Sequence, residues 1–210
     1  MIKYFISFLI LLYGNFLFAQ PKEKIRLLSP VDNHVSVIQA LNNRETCRKY
    51  LDKDLSLQEL SNLLWCANGE NRPATHKRTA PSAWNIKVID VYVATKEGVY
   101  IYNPEAHELN LYMKGDIRKQ TGGQDYVGVA AIDLIYVANY ERNNKKSVVK
   151  KKFYATCDAS HISQNVYIYC ASAGLGTAVR DLVPREELFK LLNLNDNQAI
   201  VLAHTVGYPK

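Results

Sequence analysis

Residues 44 to 48 read Arg-Glu-Thr-Cys-Arg. Two guanidiniums four residues apart with a hydroxyl between them form a compact anion-binding unit. An arginine fork matches phosphate oxygens in pairs, and Thr46 can add a hydroxyl hydrogen bond. Standing alone, such a pair also describes the solvated shoulder of a helix, where exposed charges contribute little. The remaining chemistry-bearing residues are sparse. His161, three residues after Asp158, could donate a proton, but a histidine at a helix start pairing with an aspartate is the simpler reading. The four cysteines, Cys47, Cys66, Cys157 and Cys170, show neither C-x-x-C nor zinc-ligand spacing, so no metal site is expected. Cys66 and Cys170 sit among apolar residues as small hydrophobes.

Periodicity sets out the helices and strands around the arginines. Val35, Ile38 and Leu41 recur at helical spacing and lead into Arg44. Ser56 with Glu59 fits a capping box, and Leu57, Leu60, Leu63 and Leu64 form one stripe, with Gly69 expected as a left-handed cap. Glu70 to Pro81 is polar and proline-marked and reads as a loop. From Ile86 the period becomes that of strands: Val88 to Ala94, a Lys96-Glu97-Gly98 turn, Val99 to Tyr102, then Leu109 to Met113. Tyr92, Tyr100 and Tyr102 read as sheet-face packing. Gly115 to Gln124 is a short helix or loop, and Ala130 to Ala138 is apolar enough for a central strand. A helix is expected over Ile162 to Ala173, a short strand over Thr177 to Val179, a helix from Pro184 to Leu192, and a last strand over Ile200 to Val206. Without regular βαβ alternation, this predicts an α+β fold around a mostly antiparallel central sheet flanked by helices.

Met1 to Ala19 reads as a secretory signal, with Lys3, an apolar run from Phe5 to Tyr13 and a small residue before Gln20-Pro21-Lys22. The run is short of the roughly 20 apolar residues of a membrane span, so no stable membrane insertion is expected. Residues 20–210 are therefore expected to be one exported domain, periplasmic or extracellular. The 26 basic and 20 acidic residues give a net charge of +6, which drops by one with the signal. The densest basic run, Lys145-Lys146 and Lys150-Lys151-Lys152, lacks interleaved aromatics and argues against a nucleic-acid partner.

Four stretches, in order, resemble the nitroreductase-like flavoprotein family: Arg44-x-Thr46-x-Arg48-x-Tyr50, Pro81-Ser82-x-x-Asn85, Gln164-Asn165 heading a helix closed by Gly174-Leu175-Gly176, and the terminal Val206-Gly207-Tyr208-Pro209. The run Leu63 to Gly69 with Arg78 to Ser82 is similar to the branch that includes the SagB-type dehydrogenases. The resemblance implies the nitroreductase-like fold and an FMN-binding homodimer with the flavin at the subunit interface. It implies that Arg44 and Thr46 reach the phosphate and ribityl region, with Glu45 beside them, and that Arg48 lies near flavin N1 and O2. It also implies that Pro81, Ser82, Ala83 and Asn85 serve the neighbour's ring, and that the backbone of Thr177, Ala178, Val179 and Arg180 passes N5. Trp84 is expected to wall the pocket.

Glu45 stands where many relatives carry a base, and its side chain is expected to point away or to pair with a local Arg or Lys. Relatives also supply a base to the phosphate from beyond the Gly-Tyr-Pro turn. Here Lys210, Lys77, Arg78 or Arg118 are the substitutes. No general acid or nucleophile stands out, which suits flavin chemistry. The resemblance thus implies an exported FMN-dependent oxidoreductase moving two electrons through flavin N5 to or from a small organic substrate. The alternatives are a flavin-binding or electron-relay protein without a dedicated substrate, and a flavin-free structural relative.

Overall fold

The computed structural model describes residues 23–143 and 147–210, and the expected signal Met1–Ala19 and Lys145-Lys146 lie outside the described residues. The strands are β1 (Lys24–Arg26), β2 (Glu70–Arg72), β3 (Lys77–Arg78), β4 (Ile89–Ala94), β5 (Gly98–Asn103), β6 (Glu108–Lys114), β7 (Ile132–Asn139), β8 (Gly176–Arg180) and β9 (Gln198–Gly207). The helices are α1 (Val37–Asn43), α2 (Leu57–Asn68), α3 (Val148–Ala173) and α4 (Arg185–Leu191). Seven strands form one sheet in the order β1-β6-β5-β4-β7-β9-β8, each neighbour antiparallel, so the expected α+β architecture holds. Strand β7 lies in its interior between β4 and β9.

Alternation along β7 builds two cores, because successive strand side chains leave opposite faces. Leu134, Tyr136 and Ala138 pack with Leu63 and Leu64 of α2 and Ala159, Ile162 and Val166 of α3. Ile135 and Val137 pack instead with Leu188 of α4 and Leu192. The three tyrosines at positions 92, 100 and 102 are buried in these cores, as expected. Apolar burial on this scale is the dominant favourable term of folding.

Several boundaries differ from the sequence reading. Helix α3 starts at Val148, not near Ile162, and its 26 residues rise about 39 Å. Gln164 and Asn165 therefore lie mid-helix rather than heading it. The buried face of the added turns is carried by Ala155, Asp158 and Ala159, too small and polar to register as an apolar stripe. Gly174 does take the left-handed cap (φ 68°). Gly69 does not: it is extended (φ −69°, ψ 156°), its N–H bonded to Trp65 O, because the chain turns directly into β2. Glu70 to Pro81 is not simply a loop, since β2 and β3 pair there as a hairpin. Strand β1, three residues beside β6, carries no readable pattern. The capping box is present, with Glu59 Oε2 2.8 Å from Ser56 N and Ser56 Oγ accepting from Glu59 N–H at 3.2 Å. Among the described residues no helix is long and apolar enough to cross a membrane.

Candidate flavin site

Helix α1 ends at Asn43, and Arg44 leaves it in extended conformation (φ −65°, ψ 115°). The next residues are laid across the sheet beside its β8 edge. Cys47 N–H donates to Thr177 O at 2.9 Å, Leu51 N–H to Tyr208 O at 2.9 Å, and Lys210 N–H to Lys49 O at 3.0 Å. Buried Tyr50 turns its hydroxyl back to Cys47 O at 2.6 Å, and burial raises its phenol pKa well above the ordinary value. The approach to β8 needs Gly176: a Cβ there would sit 2.7 Å from Cys47 Sγ.

This lashing leaves Arg44, Glu45, Thr46 and Arg48 exposed on one ribbon. Neither guanidinium makes a hydrogen bond or ion pair among the described residues, although Arg44 Cζ lies 5.4 Å from the Tyr167 ring centroid. Thr46 Oγ1 lies 3.1 Å from the Tyr167 hydroxyl, which accepts from Val179 N–H of β8 at 3.1 Å. Tyr167 thus joins the two predicted stretches, and no motif named it. It is one aromatic among several on α3, and its partners lie 121 and 12 residues away. A cleft of about 220 Å³ between ribbon and strand is lined by Glu45, Cys47, Tyr167, Gly174, Gly176 and Pro209, among others. Of the two expectations for Glu45, pairing with a neighbouring base is not made among the described residues, and the residue is exposed.

Strand β8 offers its edge rather than its side chains. Thr177 is buried, its hydroxyl on Thr205 O, and Ala178 is buried beside it. Arg180 belongs to this strand by its backbone, and its side chain enters the core and not the cleft. It reaches Asp133 Oδ1 at 2.9 Å, Thr205 Oγ1 at 2.9 Å and Thr121 O at 2.8 Å, with 2 % of the arginine side chain and none of the aspartate exposed. Burial pushes the Asp133 carboxyl up to about 6, against the pull of Arg180 and Thr205. A buried charge of this kind must be paired.

Among the substitute bases, Arg118 is also committed elsewhere. It is buried, chelates Asp116 at 3.0 and 2.7 Å, and donates to Ala130 O at 2.6 Å. Lys77 and Arg78 belong to the β2–β3 hairpin. Lys210, bonded to Lys49 two residues before Leu51, is the one that joins the ribbon.

The second stretch is held elsewhere on α3. Ser82 Oγ donates to Asp158 Oδ2 at 2.6 Å and accepts from Lys87 N–H at 2.7 Å, while Ala83 N–H reaches Asp158 Oδ1 at 3.4 Å. Asp158 therefore anchors this loop instead of marking a helix start with His161. Burial raises its carboxyl pKa, and the Ser82 bond opposes that rise. In the loop so anchored, Trp84, Asn85 and Lys87 take positive φ (51°, 55° and 56°), uncommon for non-glycine residues. Trp84 is 62 % exposed and meets Tyr154 edge-on at 4.8 Å. Pro81 and Asn85 are also exposed. Asp158 and Tyr167 are nine residues apart on α3, a rise of about 13 Å, so the loop and the ribbon stand at separate levels of one helix.

The four cysteines are free. Burial pushes the Cys66 thiol up to about 11 and Cys170 well above the thiol range. A set with metal-ligand character, Glu70, His76 and Glu105, lies at the hairpin, its ligand atoms within 4.8 Å of one another, and does not belong to the ribbon.

Comparison with known proteins agrees with this architecture. The family model described as Nitroreductase family matches residues 41–208, from the end of α1 through Tyr208. A nitroreductase homologue of Methanocaldococcus jannaschii is 28 % identical over 183 residues, covering 82 % of this chain and 92 % of its own length. The crystal structure of a nitroreductase homologue from Ralstonia eutropha superposes with a TM-score of 0.86 at 37 % identity, covering 90 % of each chain. The NADPH:FMN oxidoreductase of Vibrio harveyi, at 17 % identity and a TM-score of 0.63, covers 85 % of this chain and 70 % of its own and shares the fold. With the ribbon, the β8 edge and the anchored loop all inside the matched span, the chain belongs to the nitroreductase family of flavoprotein oxidoreductases.

Proposed function

We propose that this protein is an exported FMN-dependent oxidoreductase that works as a homodimer, with flavin at the subunit interface. The observation that carries the reading is the ribbon itself: two guanidiniums without a hydrogen bond or ion pair among the described residues flank a hydroxyl tethered to the β8 edge. That donor set suits a phosphate with ribityl hydroxyls, since charge-assisted bonds from arginine are the strong ones. The cleft, at about 220 Å³, is below the roughly 300 Å³ where ligand pockets begin, which supports a site completed by a second subunit.

In this reading Arg44 and Thr46 bind the phosphate end, and Lys210 adds charge beside Lys49. Arg48 supplies the fixed positive charge that favours negative charge on the ring's pyrimidine side. The Ser82–Asp158 anchor presents the loop's main chain and Asn85 to the partner's site, with Trp84 as a wall. Bound there, FMN would supply two-electron transfer through N5 to or from a small organic substrate. The protein needs no general acid of its own for that. Export, read from Met1–Ala19, removes the chain from cytoplasmic nicotinamides, so a small organic reductant or a membrane redox partner fits its setting. The dehydrogenase direction therefore fits as well as nitro reduction.

Arg48→Met tests the assignment. Losing one charge contact of roughly 2 kcal/mol lowers the two-electron potential by about 45 mV, at about 30 mV per 1.4 kcal/mol. Turnover falls with it in an enzyme, whereas an electron carrier has none to lose. An unchanged potential means Arg48 does not face the ring.

A further inference from the structure

Tyr167 is 8 % exposed, and its ring rests on His204, with centroids 4.9 Å apart. His204 is itself immobilised. It is fully buried, and its Nδ1 lies 3.2 Å from the Tyr136 hydroxyl and 3.3 Å from Ser163 Oγ. The phenol is thereby held at a fixed height under the ribbon, where it meets three groups from the predicted cofactor stretches: Arg44, Thr46 and Val179.

The direction of these bonds follows from which atoms own protons. The Val179 amide can only donate, and it lies on the edge strand of the sheet, turned away from β9. It therefore fills one lone pair of the Tyr167 oxygen. The phenol has a single proton, and among the described residues Thr46 Oγ1 is the acceptor within hydrogen-bond reach. A phenol is the stronger donor and the weaker acceptor of the two hydroxyls, so the proton goes from Tyr167 to Thr46. Thr46 keeps its own O–H, and its side chain is exposed, so that proton points outward. The reverse polarity would turn threonine lone pairs toward whatever binds at the ribbon. For a phosphate that would be repulsive, whereas a neutral hydroxyl could use either polarity.

We propose that Tyr167 is a positioning residue that fixes Thr46 as an outward donor to the phosphate oxygens of the flavin, setting the preference for FMN over riboflavin. The inference rests on the FMN reading above. The same ring also carries Arg44 by a cation–π contact, so one side chain aligns both the neutral donor and the charge.

The test is equilibrium titration of the purified protein with FMN and with riboflavin, followed by flavin fluorescence. Wild type prefers FMN. Tyr167→Phe weakens FMN binding roughly ten- to a hundredfold, the range for one hydrogen bond to a charged group, and leaves riboflavin binding unchanged. Thr46→Val does the same, Thr46→Ser keeps the preference, and the Tyr167→Phe/Thr46→Val double variant is no weaker than Thr46→Val alone, since both act through one chain of bonds. Equal weakening of both flavins by Tyr167→Phe makes it a merely structural support and overturns the proposal. So do additive effects in the double variant. If Tyr167→Phe does not fold by circular dichroism, the Thr46 pair decides: loss of preference in valine with retention in serine supports the proposal, and any other pattern overturns it. Wild type that binds neither flavin refutes the FMN reading itself. Wild type that prefers FMN, with a Tyr167→Phe variant that binds both flavins as tightly as wild type, refutes only the role of Tyr167.

Discussion

Arg180→Met removes the cation from a carboxylate that has no exposed surface, and the cost should depend on pH. Asp133 is held at about 6, above the ordinary carboxylate value, chiefly by burial. Its contribution to wild-type stability is therefore complete below about pH 4 and is lost as pH rises through 6. Without Arg180 the carboxyl stays protonated in the folded state across this range. The gap between variant and wild type then grows by about 1.4 kcal/mol for each pH unit above 6, reaching about 2.7 kcal/mol at pH 8. The lost guanidinium bonds to Thr121 and Thr205 add about 1–2 kcal/mol at every pH. The total at pH 8, about 4 kcal/mol, lies in the range for breaking a buried pair, roughly 3–5 kcal/mol. Urea unfolding followed by circular dichroism at pH 5 and pH 8 measures both. The variant should lose about 4 kcal/mol at pH 8 and under half of that at pH 5. Asp133→Asn in the same chain should flatten the difference. An equal loss at both pH values would refute the reasoning.

Two further substitutions probe how the site is held. Ser82→Ala strips the bridge between Asp158 and Lys87 N–H and should cost about 1–3 kcal/mol, read from the urea midpoint; no change means the loop is held by other contacts. Gly176→Ala puts a Cβ 2.7 Å from Cys47 Sγ and 2.9 Å from its Cβ, and overpacking of this kind costs about 1–3 kcal/mol. Adding Cys47→Gly removes both contacts, so most of the loss should return in a thermal melt; a loss that persists places the clash elsewhere.

Much of the scaffold was legible because burial leaves a periodic trace. The run Ala130 to Ala138 marked the interior strand β7, and Ser56 with Glu59 marked the start of α2. The start of α3 was hidden, since its inward residues there are alanines and an aspartate committed to Ser82. Gly69 misled because the residue type suggests a left-handed cap, whereas the chain is needed extended to enter β2. The ribbon's exposed arginines were readable as a motif. Tyr167 was not, because its meaning arises only when Thr46 and Val179 are brought to one oxygen. The partner of the Arg180 side chain was equally hidden, since a strand's alternation decides which way a side chain points and sends this one to Asp133.

In the reading proposed above, Arg44, Thr46 and Arg48 form the FMN phosphate and ring contacts of a dimeric flavoprotein. The most direct measurement is FMN titration of wild type and Arg44→Ala by flavin fluorescence, with mass by light scattering in the same samples. Dimeric wild type should bind FMN, and Arg44→Ala should lose roughly 1.5–3 kcal/mol, about a ten- to hundredfold weaker Kd, while remaining folded. Undiminished affinity in Arg44→Ala, or a monomer that holds FMN as tightly as the dimer, would contradict it.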